Sequence, residues 1–549
     1  MSIDAICPVG YHMGEHEAFE KEIVDYAKTI FRGYPQYEEY HDSLIREMTA
    51  RAQASPIYAG RVSKISGIGE LNELPLLFYD RIFGAIKQQG LAAVLLAKPA
   101  QYWQTSGYTG EPKRFYYSAA DVDHLTSTFA VLGYAMGARP WTPYWNFGAR
   151  DPLLSNKLFE VGAKKLKIEK YLSTPLGSQA DFFEAMRRAS KGGHFDVATG
   201  TPLLYMLMAR VANDPSYAES VVLRAVKAQI GLPEFFAKLI VKYLLRGVDY
   251  PSLKKLVESM TIGLSYTEPI APNIEALSRY YPKMRFFDCF GSTEAPVQGV
   301  QIFSGRPGFA YLLTNVIPEM AKPEDILNAR KDPSAKVTAT PWTDWHAGMR
   351  GELVITRPGE CLPLIRYPTG DIIEVIDPAC EHKVKLDYGE LSFTLPVVKF
   401  LGRSVDLVDF EVSDEKGDFL GGRIYSSVVN EHLLRLPNIR WWEFYKVGTV
   451  PAKLVFVIIP EKPVDDEEAF RSRIIKSLNE IDYFLSIGLT LDLVKVVITK
   501  PSAYRLVEEE IDRRVRSGRS LGQLKPRRVM SVTNDDELNA AIREKVASP

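Results

Sequence analysis

Apolar residues recur at intervals of three and four among charged ones over residues 15–31 and again over 39–52, so the chain is predicted to open with two amphipathic helices. Helical spacing returns over 121–136 and 202–211, whereas short apolar runs at 284–289 and 352–356 read as buried strands. Helices alternating with short buried strands predict an α/β layered architecture. In such folds ligands bind outside the carboxyl ends of the strands. That rule makes Phe290-Gly291-Ser292-Thr293-Glu294, at the end of a strand over 285–289, a candidate site loop. The segment 319–345 is polar and carries prolines, and reads as an excursion from the layers. After Gly402-Arg403 the pattern restarts, with a helix expected over 426–434, strands over 442–447 and 454–459, a helix over 467–481 and a strand over 493–499. This second run is a compact α+β unit, so the chain divides into a large domain, 1–401, and a small one, 402–549.

Composition adds limits rather than chemistry. At 549 residues the chain exceeds what one core usually organises, and 46% hydrophobic residues supply material for two. The 67 Lys and Arg nearly balance the 68 Asp and Glu, so no global charge argument favours nucleic acid or an anionic surface, and a small-molecule partner is expected. Cys7, Cys289, Cys361 and Cys380 lie far apart without a Cys-x-x-Cys pair, which argues against a disulfide framework or a zinc site and for a reducing cytoplasm. The longest apolar run, 91–97, is far short of the ~20 residues a membrane helix needs, and neither a signal peptide nor a lipid anchor is expected.

Chemistry enters with Thr105-Ser106-Gly107-Tyr108-Thr109-Gly110-Glu111-Pro112-Lys113. Glycines let main-chain N–H groups approach phosphate oxygens, and hydroxyls and an ammonium add directed donors and charge. The spacing is not that of a Walker loop, because Glu111-Pro112 separates Gly110 from Lys113. Alone, the stretch would equally suit a polar turn, and Lys113 a surface lysine.

Three further motifs follow in order: Phe290-Gly291-Ser292-Thr293-Glu294, Arg366-Tyr367-Pro368-Thr369-Gly370-Asp371 and Gly402-Arg403-Ser404-Val405-Asp406. Together the four resemble the acyl-adenylate-forming superfamily over most of the chain. Gly351-Glu352-Leu353-Val354-Ile355-Thr356, Leu362-Pro363-Leu364-Ile365-Arg366-Tyr367, Leu71-Asn72-Glu73-Leu74-Pro75 and Ala198-Thr199-Gly200-Thr201-Pro202 look like the phenylacetate-CoA ligase branch. Gly522-Gln523-Leu524-Lys525-Pro526-Arg527 instead resembles the closing motif of the plant acyl-acid amido synthetases.

The resemblance implies an α/β protein with a large multi-layer adenylation domain, 1–401, binding ATP and an acid, and a small mobile α+β lid, 402–549. It implies ATP and Mg²⁺ as cofactors and CoA as co-substrate, with an amine acceptor as the alternative. Thr105, Ser106, Gly107, Thr109, Gly110 and Lys113 would then hold the β- and γ-phosphates. Thr293 would contact the α-phosphate, Glu294 would ligate Mg²⁺, Asp371 would accept from the ribose hydroxyls, Arg403 would bond the ribose or a phosphate, and Lys525 would reach the reacting groups. Read without the resemblance, Ser292-Thr293-Glu294 is a capping sequence, Asp371 a turn aspartate, and Lys525 part of a solvated basic run.

Phe195, Thr199, Gly200, Tyr266, Phe290 and Gly291 are candidate walls of an apolar acid pocket, although each aromatic also fits a core position. Two departures bear on the acceptor and the phosphate loop: Val405 stands where the ligase branch has an aspartate, which weakens the case for a CoA tunnel, and Tyr108 replaces a small hydroxyl. A catalytically idle nucleotide or acid sensor and a nucleotidyl-transferring enzyme are the alternatives from other classes.

Overall fold

The computed structural model describes residues 13–105, 112–230, 234–303, 306–332, 335–406, 408–413, 419–448, 453–481, 483–490, 492–517, 519–520 and 528–546. Two compact units divide the chain: Met1–Ile270 with Leu277–Lys399 and Ser520–Gln523, and Ala271–Ala276 with Phe400–Arg519 and Leu524–Pro549. Each has its own sheet, so the fold class is α/β with a smaller α+β region.

The large unit is organised by a twelve-stranded mixed sheet. Five neighbouring strands, Tyr171–Ser173, Tyr144–Asn146, Val197–Gly200, Ile262–Ser265 and Arg285–Phe290, run parallel and are connected through helices. Beyond Arg285–Phe290 the ladder turns antiparallel through Gly299–Val300 and Phe309–Tyr311. Long strands Leu364–Lys385 and Glu390–Arg403 continue it, followed by Arg350–Arg357, Ile317–Ala321 and Ala339–Pro341. All four residues of Val197–Gly200 and of Ile262–Ser265 are buried, as expected for parallel strands covered on both faces. The opening helices, Met13–Ile30 and Tyr34–Ala52, present Phe19, Ile23, Ile30, Ile45 and Met48 to the core.

The segment 319–345 corrects the sequence expectation, because it is an edge of the main sheet rather than an excursion. Ile317–Ala321 pairs with Arg350–Arg357, and the helix Pro323–Lys331 leads to Ala339–Pro341. Its polarity misleads because Glu319 is buried and faces an arginine. Arg366, also buried, brings Nε to 3.2 Å from both Glu319 oxygens and donates to the carbonyls of Leu74 (2.6 Å) and Val337 (3.0 Å) and to Asn72 Oδ1 (2.8 Å).

His41, on Tyr34–Ala52, ties the same region down. Its Nε2 donates to the Leu313 carbonyl at 2.7 Å, and its Nδ1 accepts from Trp342 Nε1 at 3.0 Å, a pairing that requires the neutral ring. Burial pushes its pKa down to about 4. Below the ordinary value near 6.5 the unfolded chain therefore takes up a proton that the folded chain refuses. This contribution is fully present above pH 6.5 and is lost as pH falls toward 4, a cost on the order of 3 kcal/mol. Urea titrations at stepped pH should show this slope in the wild type and a flatter one in His41→Gln; equal slopes would remove the assignment.

The smaller unit carries a four-stranded sheet. Ile439–Val447 pairs antiparallel with Lys453–Pro460 and parallel with Val529–Val532, and Val494–Ile498 lies parallel to Lys453–Pro460. Phe444 stacks on Phe456 at 4.9 Å in a core shared with Val429, Leu433, Phe470 and Ile474. Among the described residues, no helix is long and apolar enough to cross a membrane.

Candidate active site

The glycine-rich stretch connects, in sequence, the two paired strands of a β-hairpin. Gln101–Gln104 pairs antiparallel with Arg114–Tyr117, and alternation buries Trp103, Phe115 and Tyr117 completely. Two hydrogen bonds close the loop base: Thr105 N donates to the Lys113 carbonyl, and Lys113 N to Thr105 Oγ1, both at 2.9 Å. The Thr105 hydroxyl thus shapes the loop as an acceptor and keeps its own proton to donate. Lys113 Nζ lies 5.4 Å from the Tyr79 ring centroid, and the Tyr79 hydroxyl accepts from Arg114 N at 2.8 Å. Ser106, Gly107, Thr109 and Gly110 lie outside the described residues.

The second site loop leaves the carboxyl end of Arg285–Phe290. Gly291 is required there, since a Cβ would stand 2.2 Å from the Pro296 carbonyl oxygen. Ser292 N donates to the Ala295 carbonyl (3.0 Å), and Ser292 Oγ accepts from Ala295 N (3.3 Å) and Gln298 Nε2 (3.1 Å). Gln298 is held in turn by the Tyr311 hydroxyl at 2.9 Å. The loop is therefore braced from within, and Thr293 and Glu294 are buried at its crest.

A hydrogen bond joins hairpin and loop. The Tyr117 hydroxyl donates to the Thr293 carbonyl at 2.5 Å. Glu294 lies close enough to two phenols that its charge adds to the burial that raises the pKa of Tyr117 and of Tyr367. Tyr367 in turn packs edge-on against Phe115, with ring centroids 5.8 Å apart. Asp371 is placed by a turn on the neighbouring long strand: Gly370 adopts φ +79°, Thr369 Oγ1 donates to the Leu353 carbonyl (2.9 Å) and accepts from Asp371 N (3.1 Å). The Asp371 carboxylate adds to the burial that raises the Tyr311 pKa, so it stands beside the residue that braces the Ser292 loop.

The proposed pocket residues separate into two groups. Thr199, Gly200, Tyr266, Phe290 and Gly291 all stand at the carboxyl ends of parallel strands, with Gly200 opposite Ser265 and Ser265 opposite Asp288. Gly200 lets the Phe147 ring lie against the backbone, since a Cβ would come within 2.0 Å of it. Thr199 Oγ1 donates to Asn146 Oδ1 at 2.8 Å, Tyr266 packs on Phe159 and Phe290 on Phe309. Phe195 is not brought to this edge: it precedes the amino end of Val197–Gly200, where Lys170 Nζ lies 4.5 Å over its ring.

A cleft of about 510 Å³ opens beside the carboxyl ends of the two outer strands, lined among others by Arg150, Asn156, Thr174, Asp181 and Arg188. Arg403 belongs to the smaller unit, and Lys525 lies outside the described residues.

Two buried groups at the site went unread in the sequence. Tyr117 is one. Asp288 is the other: both of its oxygens accept from Ile270 N, at 3.1 and 3.0 Å, and burial pushes its pKa up to about 7. Its only sequence signal is a lone charge inside the apolar run Phe286-Phe287-Asp288-Cys289-Phe290.

No protein-family model and no curated protein matches the chain. Solved structures do match. A 2-hydroxyisobutyryl-CoA ligase in the postadenylation state, in complex with 2-HIB-AMP, aligns with a TM-score of 0.60 at 14% identity, covering 95% of this chain and 94% of that one. GH3.15 acyl acid amido synthetase aligns with a TM-score of 0.58 at 14% identity, covering 97% and 96%. The chain has the fold of the acyl-adenylate-forming ligases. At this identity the likeness is one of fold.

Proposed function

We propose that the protein is an AMP-forming ligase that activates a carboxylic acid as its acyl-adenylate and passes the acyl group to CoA. The observation that carries this reading is the Tyr117–Thr293 bond, which fastens the hairpin bearing Lys113 to the loop bearing Glu294. A carboxylate oxygen of the acid attacks the α-phosphorus of ATP, and the bond to the bridging oxygen breaks to release pyrophosphate. The thiol of CoA then attacks the acyl carbon, giving up its proton, and the acyl–oxygen bond to AMP breaks to leave the thioester.

Negative charge concentrates on both the incoming anion and the leaving group, so the protein must supply donors and cations fixed in advance. Lys113, at the loop base, would neutralise the outer phosphates, and Thr293 would face the α-phosphate. Glu294 suits Mg²⁺, which takes one or two carboxylates together with phosphate oxygens and water. Glu294, a buried carboxylate whose charge reaches the phenols of Tyr117 and Tyr367, would supply the carboxylate of that set. Bound there, the ion would supply positive charge to the phosphates. Asp371 would accept from the ribose hydroxyls.

An amine acceptor is the second reading. The closing Gly522-Gln523-Leu524-Lys525-Pro526-Arg527 and Val405 in the hinge motif favour it, and an amido synthetase stands among the structures of like fold. Incubation with ATP, Mg²⁺ and an acid panel, with either CoA or a mixture of amino acids, followed by mass spectrometry, tests the pair. A thioester is the expected product; an amide alone would move the acceptor to the second reading, and neither product with any acid would count against both.

A further inference from the structure

The helix Glu234–Leu245 turns a bulky apolar stripe to solvent. Phe235, Phe236, Leu239 and Tyr243 are 69, 53, 52 and 75% exposed, whereas Ala237 and Val241 on the opposite side are buried. At 100° per residue the four exposed residues fall within about a third of a turn, so they form one continuous face. Phe235 and Phe236 meet edge to face with centroids 5.6 Å apart, which presents both rings together. Isolated exposed apolar residues need no explanation, but four large ones on a single face mark an interaction surface.

Cations border this stripe. Lys238 and Lys242 are exposed along one flank of the helix, and Arg246 follows in the turn beyond it. Lys191, exposed on the helix Gln179–Gly192, brings Nζ to within 3.9 Å of where a Cβ would stand on Gly247, adding a fourth positive group. Acidic residues stand at the two ends, Glu234 opening the helix and exposed Asp249 beyond the turn, and none lies between them, so the four cations outnumber the acids. In a chain whose net charge is −1, this is a local concentration of positive charge around apolar rings.

We propose that this face docks the protein on an anionic lipid bilayer. Aromatic and leucine side chains on one stripe with lysine and arginine beside them are the physical requirements of a helix lying in a membrane interface: the rings enter the acyl boundary and the cations pair with lipid phosphates and carboxylates. The same charges disfavour a second copy of the chain as the occupant, because a twofold interface would bring like cations face to face. Such docking needs neither a spanning helix nor a lipid anchor. It is independent of the acyl-transfer chemistry, which the residues at the carboxyl edge would perform.

Flotation of the full chain with phosphatidylcholine vesicles, and with vesicles also containing phosphatidylserine, tests the proposal. The protein should float with the phosphatidylserine vesicles, weakly or not at all with phosphatidylcholine alone, and be released as salt is raised. Lys238→Glu with Lys242→Glu should weaken partitioning by about fivefold or more per residue changed. Phe235→Ser with Leu239→Ser should abolish it. Because these side chains are exposed, both variants should unfold at the wild-type temperature. Absence of flotation in the wild type, or flotation unchanged in both variants, would overturn the proposal. So would sedimentation showing a dimer that the Phe235→Ser/Leu239→Ser variant dissociates, since the face would then be a self-interface. Acyl transfer measured on the same samples keeps a failure of this proposal distinct from a failure of the ligase reading.

Discussion

Glu294→Gln is expected to lower ATP–pyrophosphate exchange by about 10²- to 10³-fold, the scale seen when one preorganised electrostatic contact to a transition state is lost. The substitution keeps the shape of the side chain and removes only its charge. Glu294 is buried at the crest of a loop fixed by Gly291, Ser292 and Gln298, so the amide should occupy the same place. Nucleotide binding measured without divalent cation should change little, and the dependence of exchange on Mg²⁺ concentration should shift upward. Exchange that stays at the wild-type rate would remove the metal-binding role. A loss of exchange with unaltered Mg²⁺ dependence and a lowered melting temperature would instead make Glu294 a structural residue.

Arg366→Ala is expected to destabilise the large unit by about 3–5 kcal/mol, the usual cost of leaving a buried charge without its partner. Glu319 would remain buried, and the carbonyls of Leu74 and Val337 would each lose a donor. Burial already raises the Glu319 pKa, and the Arg366 guanidinium acts against that rise, so its removal should drive the carboxyl toward its protonated form. Urea denaturation measures the effect. The double variant Arg366→Met with Glu319→Met should be less destabilised than Arg366→Ala, because no charge is stranded. A double variant no more stable than Arg366→Ala would show that a stranded Glu319 charge is not what costs the single variant its stability. The residue also has a backbone constraint: its φ is +51°, held by Arg366 N donating to Thr356 Oγ1 and by Leu77 N donating to the Arg366 carbonyl.

Arg366 also shows how far sequence reasoning reaches. It opens the motif Arg366-Tyr367-Pro368-Thr369-Gly370-Asp371, and that motif divides between two tasks. Its first residue binds the Asn72–Leu74 turn and the sheet edge, while its last is brought beside Tyr311 near the site loop. The pairing of Leu71-Asn72-Glu73-Leu74-Pro75 with this motif is a contact across nearly three hundred residues, and periodicity carries no trace of it.

Local patterns were more legible. The opening helices, the helix Ser426–Leu434 and the strands Arg285–Phe290 and Lys453–Pro460 follow from spacing alone, because each packs one face or lies wholly inside. The strand Leu364–Lys385 was not read, since its later half places Glu381, Lys383 and Lys385 toward solvent and interrupts the apolar run. Within the candidate site, Gly291, Glu294 and Asp371 stand out in the sequence as motif residues. Tyr117 does not, because a tyrosine in an aromatic strand reads as core until its hydroxyl is seen bonding the Thr293 carbonyl.

In the proposed reaction the carboxyl edge of this sheet activates an acid on ATP before any acceptor takes part. Exchange of labelled pyrophosphate into ATP, across a panel of aryl, indolyl and fatty acids and with neither CoA nor amine present, measures that step alone. Acid-dependent exchange is expected with at least one member of the panel, absent without added acid and strongly reduced in Glu294→Gln. Exchange that is the same with and without acid, or that persists at full rate in Glu294→Gln, would contradict it.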